Sequence, residues 1–359
     1  MTMSRPPCIA FIGSAGMPNR YGGFESFVEQ TAPAIAARGW GTVVTCDAKL
    51  YPERPAMLRG VSLRYIGTRA NGPMSTVHDM VAFWHTFRHC EAVIVLGVSA
   101  GPFFPLMRLL ADMKGVRLLV NVDGVEWRRS KFGVFRRGVL RLFDWLAQRC
   151  AHHIVYDNPA LLPFVLPGCR GKASYIAYPG DHILRLPEEG CRPGTALTIC
   201  RIEPENNLDM LISGALASSL RLYTVIGNWN ASEYGRELRR RHAQESRLAL
   251  LDPDYDAESV ARHRERCHLY IHGHSVGGTN PSLVEMMFYD ATILCFDCAF
   301  NRETANDRAL YFSDAATLAS TINESLAQPR RRWTSPTSFT ADRIAQAYIA
   351  ATGLNHDPR

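Results

Sequence analysis

The sequence predicts an α/β protein built from two doubly wound parallel-sheet halves in series. Three observations lead there. Short apolar runs of strand length alternate with amphipathic runs of helix length, and the alternation pauses near Tyr178 and restarts near Ala196. The short runs are apolar at consecutive positions, as in strands buried on both faces. A chain of 359 residues is long for one such half and comfortable for two.

The elements follow in order. Residues 8–13 form an apolar run ending in glycine, a Gly-rich turn follows, and 25–38, with Phe24 just before them, carry Phe27, Val28, Ala32, Ile35 and Ala36 at helical spacing. With a β-branched strand at 41–46 this makes one βαβ unit. Strands are then expected at 61–66, 92–96, 116–122, 153–156 and 174–177, with helices at 78–88, 104–113 and 135–150. Tyr178-Pro-Gly-Asp181 reads as the crossing between halves. The second half reads as strands at 196–200, 222–226, 248–251, 268–272 and 292–296. Its helices are expected at 208–217, 233–242, 258–266, from Pro281, and at 315–326, with a last helix at 339–351. The expected domains are 1–180, 181–330, and a tail 331–359 that crosses back to the first half. In open parallel sheets ligands bind at the carboxyl ends of the strands.

Composition narrows the function classes. Hydrophobic residues make up 47% and charged residues 21%, ordinary for a soluble globular protein. The net charge of +6 suits a protein that handles phosphates or rests near an anionic membrane. No basic run is interleaved with aromatics, so nucleic acid is not an expected partner. Ten scattered cysteines and no signal-peptide pattern imply reduced thiols in a cytoplasm. The most apolar window, 92–110, contains Gly97, Gly101, Pro102, Pro105 and Arg108 and is not one spanning helix.

Two glycine-rich stretches carry the chemistry. In Gly13-Ser-Ala-Gly-Met-Pro-Asn-Arg-Tyr-Gly-Gly23, glycines between a first strand and a first helix let backbone N–H groups approach a phosphate. The dinucleotide fingerprint G-x-G-x-x-G is absent, which argues against an NAD enzyme. In His272-Gly-His-Ser-Val-Gly-Gly-Thr-Asn-Pro-Ser-Leu-Val-Glu285, a strand runs into Gly277 and Gly278 and a helix starts near Pro281, capped by Thr279 or Asn280. N–H groups there suit a diphosphate, and Glu285, one turn on, suits pentose hydroxyls. The alternative is a capped helix with a surface glutamate. Asp123, Glu126 and Trp127 follow a buried strand. The two carboxylates suit orienting an acceptor hydroxyl or taking its proton, unless they serve as helix caps. Trp127 and Arg128 suit sugar stacking and phosphate contact. His263, Cys267, His268, His272 and His274 match no zinc spacing, and Cys295 with Cys298 read as core or loop thiols. No essential metal is expected, although Asp252-Pro-Asp-Tyr-Asp256 nominally contains D-x-D. The 135–149 helix joins an apolar face (Phe135, Val139, Leu142, Phe143, Leu146) to Arg136, Arg137, Arg141 and Arg149. It reads either as a peripheral membrane contact or as an ordinary sheet-covering helix.

Here the sequence resembles a known family. Gly273 to Met287, with Cys200-Arg-Ile-Glu-Pro-Glu-Asn-Asn207, looks like the donor half of retaining family 4 glycosyltransferases of the GT-B fold. Asn19-Arg-Tyr-Gly-Gly-Phe-Glu-Ser-Phe-Val-Glu29 and Asn121-Val-Asp-Gly-Val-Glu-Trp-Arg-Arg-Ser-Lys131 are similar to the rhamnosyltransferase branch of capsule and exopolysaccharide assembly, with its DUF1972-type amino-terminal domain.

The resemblance implies two Rossmann-like domains facing across a cleft. It implies transfer, with retention, of L-rhamnose from dTDP-rhamnose to a polyprenyl-diphosphate-linked glycan. The cytoplasm, at the inner face of the plasma membrane, is the implied location. Donor contacts are implied for Arg201, Asn206, Gly227, Gly278, Thr279, Asn280, Ser282 and Glu285, and diphosphate or acceptor contacts for Arg20, Tyr21, Gly22 and Gly23. Asn206 stands where the family has a lysine. Gly277 stands where it has the first of two paired glutamates. The family's histidine falls at about Asp123, so the chemistry is expected at Asp123 and Glu126, with Trp127 and Arg128 on the acceptor. A GDP- or UDP-sugar donor, and a non-catalytic nucleotide- or glycan-binding role, remain as alternatives.

Overall fold

The computed structural model describes residues 6–20, 22–125, 127, 133–330 and 333–355. The chain divides into two compact units, one formed by 1–179 with 338–359 and the other by 180–337.

The first unit runs β1 (Cys8–Ile12), α1 (Gly23–Ala37), β2 (Gly41–Asp47), β3 (Met57–Leu58), β4 (Val61–Ile66), α2 (Ser75–Thr86), β5 (Ala92–Leu96), α3 (Phe104–Lys114), β6 (Arg117–Asn121), α4 (Val134–Cys150), β7 (His153–Tyr156) and β8 (Ala173–Tyr175). Its sheet has the order β3-β4-β2-β1-β5-β6-β7-β8. Every pairing is parallel except the β3–β4 ribbon at the edge. Central β1 and β5 are buried at every position, which is why they read as unbroken apolar runs.

The second unit runs β9 (Thr195–Ile199), α5 (Leu208–Leu216), β10 (Leu222–Ile226), α6 (Glu233–Arg241), β11 (Leu248–Leu251), α7 (Ala257–Arg266), β12 (Leu269–His272), α8 (Pro281–Met286), β13 (Thr292–Phe296), α9 (Ala299–Ala305), β14 (Ala309–Phe312) and α10 (Ala315–Leu326). All its strands are parallel, in the order β11-β10-β9-β12-β13-β14. The predicted fold class is therefore observed. Three elements were not foreseen: the β3 ribbon, α9 and β14. No helix among the described residues is long and apolar enough to cross a membrane.

The last helix, α11 (Ala341–Thr352), packs in the first unit against α1. Its fully buried Tyr348 joins Phe11 and Phe27, with ring centroids at 5.9 and 5.3 Å, and Phe27 meets Tyr178 at 5.3 Å. Such tilted and edge-on pairs are favourable beyond their burial. The Tyr348 hydroxyl accepts a hydrogen bond from Asn121 Nδ2 at 2.9 Å, so the aromatic cluster also fixes the end of β6.

Tyr348→Ala should destabilise the protein by about 3–5 kcal/mol through the cavity it leaves. Tyr348→Phe, which strands only the Asn121 amide, should cost about 1–3 kcal/mol. Urea unfolding followed by near-UV circular dichroism checks the order of the two.

Candidate functional site

In each sheet the connections run outward in opposite directions from one pair of strands. That pair is β1 and β5 in the first unit, and β9 and β12 in the second. Loops leaving the carboxyl ends of such a pair diverge and open a crevice between them. In the second unit those loops are 200–207 and 273–280, the two stretches singled out in the sequence.

Their contact depends on glycine. A Cβ on Gly273 would run into the Asn206 carbonyl and Leu211, and one on Gly227 into the Cys200 carbonyl and Ile202. Without those atoms the loops bond directly. Ser275 donates to the Glu205 carbonyl from its N–H at 3.0 Å and from Oγ at 2.9 Å. Asn207, at φ 53°, donates through Nδ2 to the Gly273 carbonyl at 2.8 Å. Asn206 Nδ2 donates to the Arg201 carbonyl at 2.8 Å, and its Oδ1 accepts from His274 Nδ1 at 2.9 Å.

Asn206 is buried and its amide binds protein at both ends, so it braces Arg201 and His274. Arg201 is more open: its side chain is 57% exposed, with the Glu203 carboxylate at 3.9 Å. Asn280 accepts from the Ser282 N–H at 3.0 Å, so that N–H is spent on capping α8. Thr279 is buried, and Gly278 is half-buried beside it. Gly277 has φ +125°, a conformation that a side chain rarely adopts, so a glutamate is strained there whatever the space.

Glu285 is neither a surface residue nor an unoccupied carboxylate. It is nearly buried, paired through Oε2 with Arg264 and through Oε1 with His182 Nε2 at 3.3 Å. Burial alone would push its pKa up. The Arg264 guanidinium, with His182, outweighs burial and lowers it to about 2. Arg264 is itself buried, and together with Arg185 it sits over the Tyr289 ring. Neither Arg264 nor His182 was singled out from sequence, because nothing in their spacing ties them to Glu285. His272, beneath this loop on β12, is buried and pushed down to about 3 by burial and by His274, so it is neutral. No group of three or more His, Cys, Asp or Glu suited to a metal ion occurs among the described residues.

In the first unit, Asp123 sits just past β6 with φ 57°, held by its N–H to Asn121 Oδ1 at 3.0 Å. Trp127 donates from Nε1 to Asp144 at 3.2 Å, lies under Arg141 at 5.4 Å, and lines a mainly apolar pocket with Asp123, Val98, Leu140 and Phe164. Glu126, Arg128 and Tyr21 lie outside the described residues. Arg20 donates to the Leu50 carbonyl at 2.9 Å, pairs with Glu53 at 3.5 Å and covers Tyr51. Gly22 precedes α1 in extended backbone and Gly23 begins the helix. The first glycines of that loop serve packing: a Cβ on Gly13 would meet the Leu96 carbonyl, and one on Gly16 would meet Cys46. Buried Glu25 closes the turn by accepting from the Ala15 N–H at 2.6 Å.

Residues 8–181 match the family model described as a domain of unknown function, DUF1972. No curated protein sequence matches the chain. Among solved structures, the chain is similar to sucrose-phosphate synthase from Thermosynechococcus elongatus, with a TM-score of 0.74 at 14% identity over 97% of this chain and 96% of that one. It is also similar to the catalytic domain of starch synthase IV from Arabidopsis thaliana bound to ADP and acarbose, with a TM-score of 0.66 at 10% identity over 98% and 99%. A putative UDP-N-acetylglucosamine 2-epimerase from Listeria monocytogenes follows, at 0.57 and 10% identity over 98% and 96%. The chain thus has the glycosyltransferase-like GT-B fold, with the DUF1972 match spanning residues 8–181.

Proposed function

We propose that this protein is a retaining glycosyltransferase that moves a sugar from a nucleotide donor, L-rhamnose from dTDP-rhamnose in the first instance, to a polyprenyl-diphosphate-linked glycan. The observation that carries the reading is the second unit's switch point. Two loops there bring an exposed arginine, Arg201, and close-packed backbone to the crevice where this sheet topology binds ligands.

Each residue then has a role. Arg201 balances the charge that develops on the leaving diphosphate, which is electrostatic stabilisation without a metal. Gly227 and Gly273 act indirectly, letting residues 200–206 pack on the ends of β10 and β12 so that Arg201 is held at the crevice. Glu285, kept ionised by Arg264 and His182, retains lone pairs that accept a pentose hydroxyl. The acceptor hydroxyl attacks the anomeric carbon on the face the diphosphate leaves, and its proton passes to the departing phosphate oxygen. Asp123 and Trp127 orient that acceptor. A second reading, a nucleotide-binding protein without turnover, draws on Gly277, where the family's first carboxylate is absent and the backbone disfavours one.

The acceptor's lipid calls for a membrane surface, and α4 offers one. Phe135 is 87% exposed and Leu142, two turns on, 53%, on the helix that also carries exposed Arg137, Arg141 and Arg149. Exposed apolar side chains interspersed with cations suit an anionic interface.

Thermal-shift titration with dTDP-, UDP- and GDP-sugars should show the largest stabilisation with the dTDP ligands. Arg201→Ala should weaken that binding by about 10- to 100-fold, the worth of a charge-assisted contact. No response to any nucleotide would sink the donor reading. Glu285→Gln should cost roughly 3–5 kcal/mol of stability, because it leaves Arg264 buried opposite a neutral group. A carboxylate whose folded pKa is depressed stabilises above its unfolded pKa and loses that contribution as pH falls. Wild-type stability should therefore decline from about pH 4.5 toward 2 more steeply than that of Glu285→Gln, as acid titrations of urea midpoints would show. Flotation with phosphatidylglycerol vesicles should carry the protein upward, and the double change Phe135→Ser, Leu142→Ser should leave it at the bottom. Equal flotation of the two, or none of the wild type, would remove the membrane contact.

A further inference from the structure

The first sheet brings two thiols together that the catalytic reading does not use. Cys8 opens β1, and Cys90 lies two residues before β5. The parallel register sets Ile9 opposite Ala92, so the chain around Cys90 runs beside Cys8. The Glu91 N–H donates to the Cys8 carbonyl at 2.9 Å, and the Cys8 N–H donates to Glu91 Oε2 at 2.5 Å. These bonds hold Cys8 opposite Glu91, so Cys90 lies one residue off the direct cross-strand position, on a neighbouring segment about 4.8 Å away. Both side chains enter the same apolar cluster, with Phe83, Phe87, Val93 and Leu118. Their sulfurs stand 2.7 Å apart across 82 residues of sequence.

We propose that Cys8 and Cys90 are a redox modification site, closing reversibly to a disulfide when the protein meets hydrogen peroxide. One thiolate attacks a peroxide oxygen, giving a sulfenic acid and releasing hydroxide, which takes up a proton to become water. The second thiolate attacks that sulfur, the S–S bond forms, and the hydroxyl leaves as a second water after taking a proton. The sulfurs lose two electrons and the O–O bond gains them. The packing directs the pairing, since both sulfurs lie side by side in one buried apolar cluster. The bridge staples the amino ends of β1 and β5. These strands flank the first unit's switch point, and their carboxyl ends carry the loops that begin at residues 13 and 97. Oxidation thus stiffens the base of that crevice without touching its rim.

The test uses the full chain. Reduced protein is treated with graded hydrogen peroxide, remaining thiols are alkylated, and the digest is mapped by mass spectrometry. The expected result is one dominant cross-linked peptide pair, Cys8 with Cys90, that dithiothreitol reverses. It should be accompanied by a rise in the melting temperature that Cys8→Ser and Cys90→Ser both lack. Exposed Cys191 reports that the oxidant is active. If Cys191 is oxidised while Cys8 and Cys90 are still recovered as alkylated thiols, or if either pairs mainly with another cysteine, the proposal is overturned. Because the mapping is done on the wild type, a variant that fails to fold does not blunt it.

Discussion

The candidate donor site rests on one missing atom. Gly273 has no Cβ, so the Asn206 carbonyl can lie where a side chain would begin. From that approach follow the Ser275–Glu205 and Asn207–Gly273 hydrogen bonds, and the brace that Asn206 forms between Arg201 and His274. Gly227 does the same one strand over, letting the loop after β9 rest on the end of β10. The arginine is thus carried on backbone that is over-determined by neighbours, and little of its orientation is left to loop motion. A larger residue at either glycine would separate loops rather than merely crowd a pocket.

The first unit is organised differently. Its glycine-rich turn is held by packing, with Gly13 against β5, Gly16 against Cys46 and Glu25 closing the ring. Below it lies the cluster of Phe11, Phe27, Tyr178 and Tyr348, which binds β1, α1 and α11 and, through Asn121, the turn bearing Asp123. The left-handed backbone of Asp123 is tolerated because Asn121 is locked on both sides.

Much of the architecture was legible because buried parallel strands write themselves as consecutive apolar residues. The elements that escaped are short. The β3 ribbon has two residues and α9 has seven, below the length at which periodicity separates helix from strand. Local motifs also pointed to the carboxyl strand ends, since each glycine-rich stretch follows a strand of its own unit. Partners distant in sequence were not readable. Glu285 is paired with Arg264 and His182, and Arg20 is drawn to the Leu50 carbonyl, through contacts that no spacing rule encodes. The same holds for Asn206, whose burial and bond to His274 come from packing that the motif does not encode.

The placement of α11 also bears on how the chain is made. The amino-terminal unit is completed by residues 338–359, with the whole second unit intervening. During synthesis, the first unit leaves the ribosome with Phe11 and Phe27 lacking the ring of Tyr348 that covers them in the finished protein. Apolar surface left open in this way is what holdase chaperones bind and what drives premature association of nascent chains. The second unit, continuous in sequence, has no such wait, so the half of the protein that is translated first matures last.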